Sequence, residues 1–209
     1  MKALKAILFR LYVAWFRNLT RLKGVELAAS VIVNKMPDVR KVRGSRIILG
    51  ESVILTSNPR HNPLLLHPVV LRTLTPQAVI EMKDGSGMSG ARIVCCNRVT
   101  IGENTIIGPN TLIYDSEGHN YSPKTGWREA GSRTGRPITI GSKCFIGSDC
   151  LILSGVSIGD NCVISAGTVV TSDVPAGHKA YGNPAVYVPL PKLLGGPGRK
   201  KIVKEASSL

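Results

Sequence analysis

The sequence predicts an all-β solenoid, and three observations carry that prediction. Residues 140–175 divide into six consecutive hexapeptides, each opened by a branched aliphatic: Ile140, Ile146, Ile152, Ile158, Ile164 and Val170. A small or β-branched residue holds the fifth place of every unit: Cys144, Cys150, Val156, Cys162, Thr168 and Val174. The period of six is neither the 3.6 of an amphipathic helix nor the strict alternation of a half-buried strand. A fixed short period instead marks a repeat architecture, because one unit buries its apolar position only by stacking on its neighbour.

Taken in order, the chain opens with residues 1–23, MKALKAILFRLYVAWFRNLTRLK, which hold six basic residues and no acid. Aromatics stand at Phe9, Tyr12, Trp15 and Phe16, while Arg10 and Arg17 interrupt the apolar run, leaving it too short to span a bilayer. No small-residue cleavage site follows a clean apolar core, which argues against a signal peptide. The stretch predicts a basic amphipathic helix, suited either to a membrane interface or to packing on the solenoid or a neighbouring subunit.

Residues 24–81 are rich in Val, Ile and Leu and predict irregular early coils. Leu49-Gly-Glu-Ser-Val-Ile is one hexapeptide, and Ser57-Asn-Pro-Arg-His-Asn-Pro63 then breaks the pattern as a loop. His61 and His67 beside that loop read as surface residues. The repeat resumes at Met82, Met88 and Val94, slips by one residue, and continues at Ile101, Ile107 and Ile113. It then stops over residues 114–139 before Ile140 restarts it. A structureless stretch of that length inside a domain is usually functional or disordered. Pro175–His178 and Tyr181–Ala185 terminate the repeats, so 24–188 reads as one domain. Residues 189–209, broken by Pro and Gly and then Lys/Arg-rich, predict a weakly ordered basic tail.

The net charge of +14 is unevenly placed. Residues 1–60 hold twelve Lys or Arg against three acids, 61–191 ten against nine, and 192–209 five against one. Basic ends suit an anionic membrane surface or an acidic glycan. Nucleic acid is not expected, since aromatics make up 5% of residues and no recognition motif accompanies the charge. Five cysteines, an odd number, do not form a secreted disulfide pattern. Three of them occupy the inward fifth place, where a small thiol packs, which predicts reduced cysteines and a cytoplasmic location. Four histidines scattered at 61, 67, 119 and 178 and no C-x-x-C pair leave a metal centre without support.

The long interruption concentrates the chemistry. It holds His119 between Gly118 and Asn120, with Tyr121, Trp127 and three arginines, residue types suited to a sugar or an anionic group. An imidazole, with a reference pKa near 6.5, can take a proton from an attacking hydroxyl and return it to a departing group. Asp115, Glu117 or a main-chain carbonyl are the candidates for orienting it.

The hexapeptides, Gly118-His119, the loop and Pro137-Ile-Thr-Ile-Gly141 together resemble the hexapeptide-repeat acyltransferases. The likeness is to sugar O-acetyltransferases of the galactoside, maltose and nodulation-factor type over roughly residues 80–188, and to surface-polysaccharide O-acetyltransferases in the N-terminal half. The resemblance implies a left-handed parallel β-helix with an N-terminal helix and one long protruding loop, assembled as a homotrimer. It implies direct transfer from acetyl-CoA, without a metal, to a sugar or glycan hydroxyl, with His119 as general base. Cofactor contacts carried over by alignment are Ser148, Ala166, Thr171, Ser172 and Asn183; acceptor candidates are Ser89, Asn97, Asn120, Tyr121 and Trp127. Two departures stand out: Ser172 replaces a frequent Lys, and Val186–Val188 lack the usual basic follower, for which Lys179 or Lys192 are the available cations. N-acetylation of an amino sugar and a non-catalytic scaffold remain the alternatives.

Overall fold

The computed structural model describes residues 14, 15, 18, 24–119, 121–124, 126 and 135–191. Its strands fall into successive coils of three. The first coil is β1 (Glu26–Leu27), β2 (Ile32–Val33) and β3 (Asp38–Arg40); the second is β4 (Arg46–Leu49), β5 (Ile54–Thr56) and β6 (Val70–Thr73). The third is β7 (Val79–Met82), β8 (Gly87–Ser89) and β9 (Arg92–Cys95), and the fourth β10 (Arg98–Ile101), β11 (Ile106–Ile107) and β12 (Leu112–Tyr114). Past the long interruption come β13 (Ile138–Ile140), β14 (Phe145–Ile146) and β15 (Leu151–Ile152), then β16 (Ser157–Ile158), β17 (Val163–Ile164) and β18 (Val169–Val170). A closing hairpin, β19 (His178–Tyr181) and β20 (Val186–Pro189), extends one sheet.

Like strands of successive coils pair in parallel. They form sheet A (β1-β4-β7-β10-β13-β16), sheet B (β2-β5-β8-β11-β14-β17-β19-β20) and sheet C (β3-β6-β9-β12-β15-β18). This is a parallel β-helix, the architecture expected of a left-handed hexapeptide-repeat solenoid. All six residues that open the units of 140–175 are at most 2% exposed, and the fifth-place residues at most 3%. The period therefore reports an inward column, and that column is the core.

The corners explain the rest of the repeat. Each fourth place from Lys143 to Gly167 has positive φ: Lys143 57°, Asp149 58°, Gly155 84°, Asn161 57° and Gly167 72°. That left-handed conformation favours Gly, Asn and Asp. It turns the N–H along the solenoid axis, so Asp149 N donates to Pro109 O, Asn161 N to Ser142 O and Gly167 N to Ser148 O at 2.8–2.9 Å. Gly147, at a second place, is required by contact: a Cβ there would lie 2.5 Å from Ala166 N in the next coil. Fifth-place side chains then tie coil to coil. Thr105 and Thr111 hydroxyls donate to Gly141 O and Gly147 O at 2.6 and 2.8 Å. The thiols of Cys144, Cys150 and Cys162 donate to Gly159 O, Ser165 O and Pro175 O, each at 3.1 Å.

Two expectations need correction. The early coils are not irregular: β1 to β6 stack in the same three sheets, in register with the strands of the third coil. Val25, Val31, Val33, Val39, Ile47, Leu49, Val53 and Leu55 fill the inward positions, with Gly50 the one second-place glycine among them. The N-terminal helix is not borne out. Among the described residues no helical element forms; Ala14, Trp15 and Asn18 have helical backbone, and the rest of 1–23 lies outside the described residues.

Candidate active site

The long interruption leaves the solenoid at the corner between sheets C and A, after Tyr114, and returns at Ile138. Its two roots are fastened by a buried carboxylate. Asp115, fully buried, accepts from Cys96 N through Oδ1 and from Asn97 N through Oδ2, both at 2.7 Å, and from the Cys95 thiol at 3.4 Å. Its carbonyl accepts from Arg136 N at 2.8 Å and from Ser154 Oγ at 2.6 Å. Asn97 Nδ2 donates to Gly135 O at 2.8 Å. A carboxylate held by two main-chain donors is well satisfied out of water, and this one spans the coil before the break and both ends of the loop. Within the loop, Ser122 and Gly126 exchange main-chain hydrogen bonds at 2.9 and 2.7 Å, closing a tight turn.

His119 stands three residues past Ser116, exposed. Gly118 before it has φ 78°, and a Cβ there would approach Tyr114 Oη to 3.3 Å. The Gly-His pair thus sits over the last residue of β12. Of the two carboxylates considered for orienting the imidazole, Asp115 is committed to Cys96 and Asn97. Glu117 lies 3.5 Å from Arg136 in an exposed ion pair.

The comparisons agree with this architecture. The family profile described as "Hexapeptide repeat of succinyl-transferase" matches residues 137–172. Residues 137–172 are hexapeptide repeats. The chain is 44% identical over 86 residues to galactoside O-acetyltransferase of Escherichia coli, a match covering 41% of each chain. To nodulation protein L of Rhizobium meliloti it is 49% identical over 88 residues, 42% of this chain and 46% of the relative. The chain thus spans less than half the length of these curated relatives. Among solved structures, a variant of an N-acyltransferase from Bacillus cereus, in complex with dTDP and coenzyme A, shares the fold. It has a TM-score of 0.54 over 78% of this chain and 81% of that one, at 12% identity.

The hexapeptide corners separate the cofactor candidates into two columns flanking sheet C. Ser148 and Ala166 stack on successive coils at the corner between sheets B and C, and Gly182-Asn183 continues that column through Val169 N donating to Gly182 O at 3.0 Å. Thr171 and Ser172 lie at the opposite corner, above Leu153-Ser154-Gly155 and on the same side as His119. Ala166, Thr171, Ser172 and Asn183 are exposed and Ser148 is half-buried. A Cβ on Gly167 would meet no atom within 4 Å, so the main chain beside Ala166 is open to a ligand. Lys179, exposed on β19, is a cation leading into the Asn183 turn.

The acceptor candidates are not gathered in one place. Ser89 ends β8 at the corner between sheets B and C, Asn97 sits at the loop root, and Tyr121 is 62% exposed on the loop. Asn120, Trp127 and Lys192 lie outside the described residues. Sequence reasoning missed the clamp itself: the signal available was an Asp placed where the repeat breaks, two residues after the inward Ile113.

All five cysteines are free and buried. Burial, and then the neighbouring Asp115, pushes the Cys95 thiol well above the usual range, and burial raises Cys144 and Cys150. Among the described residues no cluster of three His, Cys, Asp or Glu could hold a metal, and no helix is long and apolar enough to cross a membrane.

Proposed function

We propose that the protein transfers an acetyl group from acetyl-CoA to a sugar hydroxyl in surface-polysaccharide or glycan synthesis, with His119 as general base. The observation that carries this reading is the exposed Gly118-His119 pair, held over Tyr114 at the clamped break of a hexapeptide solenoid. The galactoside O-acetyltransferase similarity supports the reaction class. As the sugar oxygen bonds to the thioester carbon, His119 takes its proton; as the C–S bond breaks, the imidazolium returns that proton to the thiolate of coenzyme A. Buried thiols held protonated support direct transfer without an acyl-cysteine.

Acetyl-CoA would lie against sheet C between the Ser148, Ala166 and Asn183 column and Thr171 and Ser172, with Lys179 available to its phosphates. A homotrimer is part of the proposal. Sheet B supports it with an outward apolar row of Ile32, Ile54, Ile106 and Phe145, 39–55% exposed and interrupted at Gly87, which association would remove from water. Contact of residues 1–23 with a membrane surface is proposed from their charge and aromatics.

The test is release of coenzyme A thiol against a panel of sugars, amino sugars and glycan fragments. Acceptor-dependent release with O-acetylated product supports the reading. An N-acetylated product moves it to amino sugars, and cofactor binding by neither wild type nor His119→Ala leaves a scaffold.

A further inference from the structure

The outward face of sheet C changes character along the solenoid. One register row runs Arg40, Arg72, Val94 and Tyr114 through β3, β6, β9 and β12. The neighbouring row runs Asp38, Val70, Arg92, Leu112, Leu151 and Val169. Three guanidinium groups therefore gather on the first three strands, while later strands present Tyr114 and the aliphatics Leu112, Leu151 and Val169. Arg40 pairs with Asp38 at 3.0 Å. Among the described residues, neither Arg72 nor Arg92 has a carboxylate within ion-pair distance. Arg92 Nε is buried and has no hydrogen-bond partner among the described residues. A buried, unpaired donor on a cation is costly, and an incoming anion is the group that satisfies it.

The row that begins at Arg40 and Arg72 ends at Tyr114, beneath Gly118-His119. Neighbouring strands are about 4.8 Å apart, so Arg72 and Tyr114, two strands apart, are separated by about 10 Å. That is a reach of one or two sugar units, and Val94 between them offers an apolar floor for the C–H face of a ring. We propose that this arginine face recognises an anionic saccharide acceptor, its carboxylate or phosphate held by Arg72 and Arg92 while a nearby hydroxyl is presented to His119. The inference rests on the acetyltransferase reading and adds the substrate class. The planar guanidinium fork suits bidentate binding of either anion. A neutral sugar would leave both cations unanswered.

The test uses acceptor pairs that differ in charge: trigalacturonate against galactotriose for the carboxylate, and galactose 1-phosphate against galactose for the phosphate. With wild type, the anionic member of at least one pair has a kcat/KM at least tenfold higher, and the advantage shrinks as salt is raised. Which pair shows it identifies the anion. Arg72→Glu and Arg92→Ala bring the ratio toward one, chiefly by raising KM for the anionic acceptor, and Arg72→Lys recovers part of it. A wild-type ratio near one for both pairs, or a ratio unchanged in both arginine variants, overturns the proposal. Should no acceptor be turned over, that failure belongs to the acetyltransferase reading, and calorimetric titration with trigalacturonate and galactose 1-phosphate judges the arginine face alone. Binding by wild type that Arg72→Glu loses upholds it; no binding, or equal binding, overturns it.

Discussion

Two kinds of corner build this molecule, and a buried carboxylate with two main-chain donors separates them. At the regular corners a neutral fifth-place side chain donates forward, as Thr105 does to Gly141 O and Cys150 to Ser165 O in the next coil. Carboxylates accept backward at both kinds: Asp84, Asp160 and Asp173 are exposed and take one N–H each, from Glu51, Ser142 and Ser157. Asp115 at the broken corner is buried and takes two, those of Cys96 and Asn97 in the preceding coil. At a regular corner the next coil covers the inward bonds. The broken corner has about 20 residues inserted where that coil would continue, and the strong acceptor restores the closure that stacking supplies elsewhere. The proposed base, His119, sits where the repeat stops protecting itself.

Breaking the two corners should have unequal effects. Asp115→Ala strands the buried Cys96 N–H and the part-buried Asn97 N–H and is expected to cost about 3 kcal/mol in urea unfolding, with turnover falling as the loop root opens. A loss no greater than that of a surface change would show the clamp to be dispensable. Ile146→Ala removes a fully buried side chain from the inward column and should cost about 3 kcal/mol. Cys150→Ala deletes one coil-to-coil bond and a small volume, about 1 kcal/mol, whereas Cys150→Thr should be near neutral because Thr111 fills the equivalent place one coil earlier. If threonine is as damaging as alanine, the shared role assigned to the fifth place is wrong. Glu117→Ala breaks an exposed ion pair at 3.5 Å and should leave the melting temperature unchanged.

The regular corner was legible in the sequence and the broken one was not, for a physical reason. Within 140–175 every residue obeys a rule with a six-residue period, so burial at Ile146 or Cys150 comes from counting. The bonds at the break join partners 18 to 39 residues apart with no period to announce them. Hence Asn97, a candidate for the acceptor, has its amide on Gly135 O, and Asp115, a candidate for orienting His119, is turned inward to Cys96 and Asn97. Coils one and two are harder to read because Gly50 is the one second-place glycine behind their inward Val, Ile and Leu, although the stacking is the same. Ser148 and Ala166 lie in one column and Thr171 and Ser172 in another because the three-sheet winding, invisible to the alignment, puts alternate turns on different edges.

The claim that the broken corner carries catalysis while the regular coils carry stability is tested most directly by His119→Ala, measuring acceptor-dependent thiol release and thermal melting on the same preparation. The account predicts a fall in turnover of roughly a hundredfold or more at the wild-type melting temperature, because the imidazole is exposed. Turnover retained in that variant would contradict it.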